Sequence, residues 1–338
     1  MTLATQNIQL DHGTGAALSS ELVGFIAQTL GDAYVGEMED SAVLPVEGSR
    51  IAMTTDSFVV DPPFFGNGDI GKIAVCGTVN DLAVSGAAAR YLTLGMILEA
   101  GLPFDHLSRV LTSIRETARE AGVQIVCGDT KVVRAGEADQ LYLNTSGVGF
   151  FYREPLRMDS VRPGDSVILS GPIGNHTVHL LSIREGLGFE GRVLSDCAPL
   201  NVMIDRLFEA VPDGAIRSMR DVTRGGLAAV LHEYAGRVGT AITIDEPTLP
   251  IQPETAMAAD MLGINPLHCA NEGCVAIFAD PAAADDILAA LHQHEYGRHA
   301  VVIGEVTGRD GAAVVLRDSG GRESTLQPLR GAELPRLC

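Results

Sequence analysis

Between residues 105 and 121, Leu107, Val110, Leu111, Ile114 and Ala118 recur at intervals of three and four. That period predicts an amphipathic helix, with Asp105 placed to cap it and Gly122 to end it. A second helical pattern runs from Ser19 to Leu30, behind the turn His12-Gly13-Thr14-Gly15. The stretch 70–85 is apolar almost all round and rich in small residues, yet it encloses Asn80 and Asp81. It predicts a buried helix capped by Asp69. Runs at 39–44 and 50–55, joined by Glu47-Gly48-Ser49, predict a hairpin that brings Asp40 and Asp56 together at its outer ends. A strand at 123–127 leads into Gly128-Asp129-Thr130-Lys131, and 141–151 is the next strand.

Arg, Glu and Pro cluster between Tyr152 and Gly164 and mark a boundary. Beyond it, strand patterns fall at 166–170, 241–244, 274–279 and 300–306, and helical ones up to 185 and at 199–209, 227–237 and 281–294. Paired strands with helices between them predict two α+β (α/β) domains rather than an alternating parallel fold. The expected division is an N-terminal segment at 1–34, domains at 35–152 and 160–316, and a mobile tail at 317–338 that ends in Cys338.

A chain of 338 residues with 46% hydrophobic and 20% charged residues has ample material for real cores. Its net charge of −19 argues against nucleic acid as a partner. ATP remains compatible with that charge if metal ions bridge carboxylates to phosphates. No apolar run is long and clean enough to predict a membrane span, and no signal-peptide pattern opens the chain. The six cysteines are scattered, as expected for reduced thiols and a cytoplasmic location.

Candidate chemistry gathers at the carboxylates. An Asp inside an apolar helix is costly unless it is paired or binds a metal, which singles out Asp81. Asp40, Asp56 and Asp129 stand at strand ends, where a metal–phosphate site can form. The turn Asp221-Val222-Thr223-Arg224-Gly225-Gly226 precedes a helix and could hold phosphate oxygens. Asn271-Glu272-Gly273 stands before a strand. His268, Cys269 and Cys274 match no closed zinc spacing and are expected to pack in the core. Cys338 is the final residue, beyond the last apolar run, and is expected to be a thiol with no neighbours to pack against.

Taken in order, Asp40, Thr54-Thr55-Asp56, the 66–87 stretch, Gly128-Asp129-Thr130-Lys131, the Asp221–Gly226 turn and Asn271-Glu272-Gly273 resemble the aminoimidazole-ribonucleotide synthetase superfamily, which includes selenophosphate synthetase and thiamine-monophosphate kinase. With the terminal Pro335-Arg336-Leu337-Cys338, the chain resembles more closely the carbamoyl dehydratase family of [NiFe]-hydrogenase maturation. The resemblance covers nearly the whole chain. It implies a homodimer of two-domain subunits that pairs its N-terminal sheets, with ATP between the domains. It implies that Asp40, Asp56, Asp81 and Asp129 hold Mg²⁺ and phosphate. It places Thr55, Lys72, Asn80, Gly128, Thr130, Asp221, Thr223 and Arg224 at the nucleotide, Lys131 and Glu272 near the reacting centre, and the modified thiol at Cys338. The implied activity is ATP-driven dehydration of an S-carbamoyl group on that cysteine to a thiocyanate. The implied partners are the carbamoyltransferase HypF as donor and the HypC–HypD complex as cyanide acceptor. Ala16, Asn67 and Thr177 depart from the family's glycines. Another ATP-dependent member of the superfamily, or a scaffold that presents Cys338 without catalysis, would share parts of the pattern.

Overall fold

The computed structural model describes residues 6–14, 17–36, 41–329 and 336–338. The N-terminal half contains α1 (Ala17–Leu30), β1 (Ile51–Phe58), α2 (Ile70–Val84), β2 (Ala88–Glu99), α3 (Phe104–Ala121), β3 (Gln124–Val133) and β4 (Leu141–Phe150). The strands form one sheet in the order β1-β4-β2-β3, in which only β2 and β3 run parallel. Helix α2 is buried on nearly every side, as its largely apolar sequence requires. It packs between the sheet and α3, whose Leu107, Val110, Leu111 and Ile114 face the same core. The other face of the sheet leaves Met53 and Ile97 exposed.

The C-terminal half contains β5 (Ser166–Leu169), α4 (Asn175–Glu185), α5 (Asn201–Ala210), β6 (Ile216–Asp221), α6 (Gly226–Val238), β7 (Thr240–Asp245), α7 (Pro253–Leu262), β8 (Val275–Ala279), α8 (Ala284–His292), β9 (Val301–Asp310), β10 (Val314–Arg317) and β11 (Glu323–Leu326). Its sheet has the order β11-β10-β7-β9-β5-β8-β6, and only β10 and β7 are parallel. Both sheets are thus mixed, as the spacing of strands and helices predicts.

Several expectations change. Asp40 lies outside the described residues, and among 41–49 there is no strand, so the hairpin does not form. Instead β1 pairs with β4, with Asp56 opposite Thr145. Helix α3 starts after Pro103 rather than at an Asp105 cap, and Gly122 ends it at φ 67°. Strand β3 does not stop at Cys127; it runs through Gly128, Asp129, Thr130 and Lys131. The polar stretch after Arg317 turns back into β11, which hydrogen-bonds to β10 and so belongs to the second domain rather than to a tail. Its polar sequence reads as a connector because it forms the outermost strand and three of its four residues face solvent.

The two halves are clipped together at 195–200. The amide of Asn67 donates to the Ser195 carbonyl at 2.8 Å and accepts from its N–H at 3.1 Å. Asn80 repeats the arrangement, donating to Ala198 at 3.0 Å and accepting from Leu200 at 2.7 Å. A side-chain amide has one donor and one acceptor edge, so each Asn mimics a strand partner for the loop. Asn80 is buried in this clip and turned to the loop backbone; that is a correction to its expected place at the nucleotide. The loop also carries Cys197 into the core cluster of the first half, beside Cys76.

Candidate active site between the two domains

Two carboxylates meet where β1 faces α2. Asp56 accepts from the Thr78 hydroxyl at 3.4 Å, and Asp81 accepts from Thr54 at 2.7 Å. Burial and then the neighbouring Asp81 charge raise Asp56 from 3.8 to about 6, with Arg224 of the other domain pulling the other way. Asp221, at the end of β6, is raised to about 6 as well, by burial first and then by Asp81. Glu272 is only 4% exposed. Burial, followed by Cys197, Asp196, Asp221 and Asp56, holds its carboxyl well above the ordinary range. Beside it, Asp196 accepts from the backbone N–H groups of Glu272 at 3.1 Å and Gly273 at 3.2 Å. Like charges crowded in a dry cleft favour protonation until a cation joins them.

Among the described residues no group of three or more His, Cys, Asp or Glu side chains is placed to hold a metal ion. The donors that are present still suit Mg²⁺, which binds through one or two carboxylates and takes its other oxygens from water and phosphate. Asp56 and Asp81 are such a pair. Asp129 is not with them. It sits on β3, three strands across the sheet from β1, on the order of 14 Å away at ordinary strand spacing. There it pairs with Lys131 at 2.8 Å, both side chains largely exposed. With Gly128 and Thr130 they line a cavity of about 320 Å³ shared with His12, Gly13 and α1. Lys131 and Glu272 therefore do not meet within one subunit. Lys72 is also apart from the carboxylate pair; it lines a groove with Asp69 and Arg109 and acts on Asp196. Thr55 points to the open face of the sheet, where Asn144 and Ser146 reach its hydroxyl.

The end of the chain lies in the cleft. Leu337 is buried among residues of the first core, and Cys338 packs against the same cluster. The backbone N–H groups of Val59 and Asp61 donate to Cys338 and Arg336 at 3.0 and 3.2 Å. The Arg336 guanidinium donates to the Val59 carbonyl at 3.0 Å and ion-pairs with Asp139. Arg184 donates to the Arg336 carbonyl, and His176 bonds to the Leu337 carbonyl at 2.8 Å. Cys338 thus borders a cavity of about 610 Å³ with Ser57, Val59, Arg224, Gly225 and Cys269. A thiol without packing neighbours was the expectation; the docking groups that overturn it are scattered along the chain and turned toward the tail only by the fold.

At the Asp221–Gly226 turn, Gly225 and Gly226 have φ 75° and 64°, and Gly225 opens onto the cavity. Gly226 is required by packing, because a Cβ there would meet the Leu267 carbonyl at 2.6 Å. Thr223 closes the turn by accepting from the Gly226 N–H at 2.9 Å. Cys269 and Cys274 are buried thiols pushed up to about 12, chiefly by burial, as expected of core residues, whereas His268, expected with them, is half-buried and lines the cavity.

The comparisons match this architecture. The model for the N-terminal domain of AIR synthase related proteins matches residues 38–151, and that for the C-terminal domain matches 162–317. The carbamoyl dehydratase HypE of Escherichia coli (strain K12) is 43% identical over 98% of this chain and 99% of its own. The chain belongs to the carbamoyl dehydratase HypE family. A crystal structure of the hydrogenase maturation protein HypE in complex with ATP superposes with a TM-score of 0.92 at 39% identity, covering 100% of both chains. The HypE chain of a HypE–HypF complex matches at 0.79 and 41% identity, over 93% of this chain and 100% of that one. Family members thus carry the two-domain frame, and the cleft described above lies between its halves. Sequence reasoning missed Asn67, His176, Arg184 and Asp196 as parts of this cleft. Asn67 stood out only as a departure from glycine, and nothing near Asp196 in the sequence marks it.

Proposed function

We propose that the protein dehydrates a carbamoyl group carried on its own Cys338 to a thiocyanate, at the expense of ATP, and so supplies cyanide for a [NiFe]-hydrogenase centre. The observation that carries this reading is the docked tail. It puts the terminal cysteine on the wall of one cavity with Ser57 and Arg224, and the Arg224 charge in turn acts on Asp56.

The chemistry balances as follows. The carbamoyl oxygen takes the γ-phosphoryl group and ADP leaves; one nitrogen proton is lost, giving an S-bound imidate phosphate. Loss of phosphate and of the second nitrogen proton forms the carbon–nitrogen triple bond. The amide oxygen departs in the phosphate, so the peptide loses the elements of water. Bound Mg²⁺ would neutralise phosphate charge during transfer. Asp56 and Asp81 are the residues to hold it, and Arg224 is positioned to meet phosphate oxygens. Glu272, with its affinity for protons raised by burial, suits the role of base for a nitrogen proton.

Asp129 and Lys131 fit this reading across a dimer. A partner subunit that covers the open sheet face would bring its own Asp129–Lys131 pair to the site, which one subunit leaves a sheet's width away. HypF serves as carbamoyl donor in this reading, which is supported by a relative solved in complex with HypF. A HypC–HypD acceptor and a cytoplasmic location complete the proposal. Among the described residues no helix is long and apolar enough to cross a membrane.

Mass spectrometry of the terminal peptide tests it. Carbamoyl gain followed by loss of one water on adding Mg-ATP is expected, and Cys338→Ala should abolish both. Modification at another cysteine, or a carbamoylated tail that keeps its water, overturns the reading.

A further inference from the structure

His176 has no exposed surface, and its two ring nitrogens are both engaged. Nε2 lies 2.8 Å from the Leu337 carbonyl oxygen and Nδ1 2.8 Å from the Ser195 hydroxyl. The carbonyl can only accept, so Nε2 carries the proton. Burial pushes the imidazolium down to about 4, so the ring is neutral near pH 7 and Nδ1 accepts from Ser195. Ser195 in turn accepts from the Cys197 N–H at 3.1 Å. The proton order along this chain is fixed in one direction, from loop 195–197 through the ring to the tail. The same loop is held by Asn67, and its Asp196 holds the backbone of Glu272.

We infer that His176 is a positioning residue for the dehydration, the latch that fixes the carbonyl one residue before Cys338 and so sets where the terminal sulfur sits in the cavity. It acts through the tail backbone, by its bond to the Leu337 carbonyl. Arg184 and the Val59–Asp61 backbone hold Arg336 and Cys338, and among the described residues His176 alone ties the Leu337 carbonyl to the loop that also orders Glu272. The inference rests on the reading of Cys338 as the modified thiol for one of its two readouts only.

The first readout is the rate at which iodoacetamide alkylates Cys338 in the full-length protein, read on the terminal peptide. The second is single-turnover dehydration of the carbamoylated chain. His176→Asn keeps an acceptor for Ser195 but loses the donor to Leu337. It should speed alkylation of Cys338 and slow dehydration, each roughly three- to tenfold, the worth of one neutral hydrogen bond. ATP affinity and the alkylation rate of Cys127 should stay unchanged. His176→Gln, whose amide nitrogen reaches the Nε2 position, should restore both rates. Should His176→Asn fail to fold, Ser195→Ala decides, because it frees the ring to move its proton to Nδ1 and should give a smaller shift in the same direction. Wild-type alkylation in His176→Asn, no rescue by glutamine, or no shift in Ser195→Ala overturns the latch. A wild-type chain that never loses water overturns the proposed function instead, while alkylation still judges the latch.

Discussion

Asp221 gives the sharpest test of the acidic cleft. It is buried at the end of β6, its repulsion with Asp81 adds to the desolvation, and its pKa stands at about 6 against an ordinary 3.8. The folded state therefore holds the Asp221 proton more tightly than the unfolded chain does. Stability from this group is fully present below about pH 4 and is lost as pH rises through 6. Once Asp221 is ionised the loss is about 3 kcal/mol, and it is about half that at pH 5. Asp221→Asn removes the charge with almost no change in shape. The variant should melt above wild type at pH 7.5, by about 4 °C for a chain of this size. The gap should narrow at pH 5. Mg²⁺ with a non-hydrolysable ATP analogue should raise the wild-type melting temperature more than that of the variant at pH 7.5, because only wild type has the unfavourable charge to relieve. Differential scanning calorimetry at the two pH values reads all of this. A gap that is zero or reversed at pH 7.5, or that widens as the pH falls, refutes an unneutralised Asp81–Asp221 repulsion in the cleft.

Two further outcomes follow from the geometry. If Asp129 of one subunit serves the Asp81 of another, mixing and re-equilibrating inactive Asp81→Asn and Asp129→Asn chains should regain about a quarter of wild-type turnover, since half the dimers are mixed and each has one intact site; no recovery would mean that each site is built within one chain. Gly273→Ala should cost about 3 kcal/mol or more, because its Cβ would fall 1.8 Å from the Asp196 carbonyl oxygen, and a urea midpoint close to wild type would refute that packing.

Elements whose local pattern matches their environment were legible in the sequence. Helix α3 has one apolar face and is half-buried; α2 is apolar nearly all round and buried along most of its length. Paired strands with helices between them read as two α+β domains rather than an alternating parallel fold, and both sheets contain antiparallel pairs. Strand partners were not legible. The runs at 39–44 and 50–55 look like a hairpin because they are adjacent and joined by a turn, yet β1 takes β4 from about ninety residues away. Pairing of that kind depends on which apolar faces meet after collapse, and local sequence does not record it. The site divides along the same line. Asp81 stands out because a carboxylate inside an apolar helix needs a reason, and Asp56 because it ends a strand run. Asn67, His176 and Asp196 carry no such mark, since their hydrogen-bond partners lie far along the chain and meet them only in the fold.

At position 67, where the resemblance implies a glycine, the Asn side chain has a structural use. A glycine there would give the loop freedom and no hydrogen bonds. Asn67 satisfies both polar groups of Ser195, and Asn80, thirteen residues on, satisfies Ala198 and Leu200. Between these two clips the loop has little freedom left. Ser195 is set to meet His176, and Asp196 is set to collect the N–H groups of Glu272 and Gly273. The close fit of Gly273 against the Asp196 backbone leaves no room for the two segments to slide. One loop therefore fixes both the backbone of Glu272, the base in the proposed reaction, and, through His176, the tail that ends in Cys338. A change that loosens the loop, such as loss of the Asn67 amide, is expected to misplace both reactants together, lowering the dehydration rate without lowering the affinity for ATP.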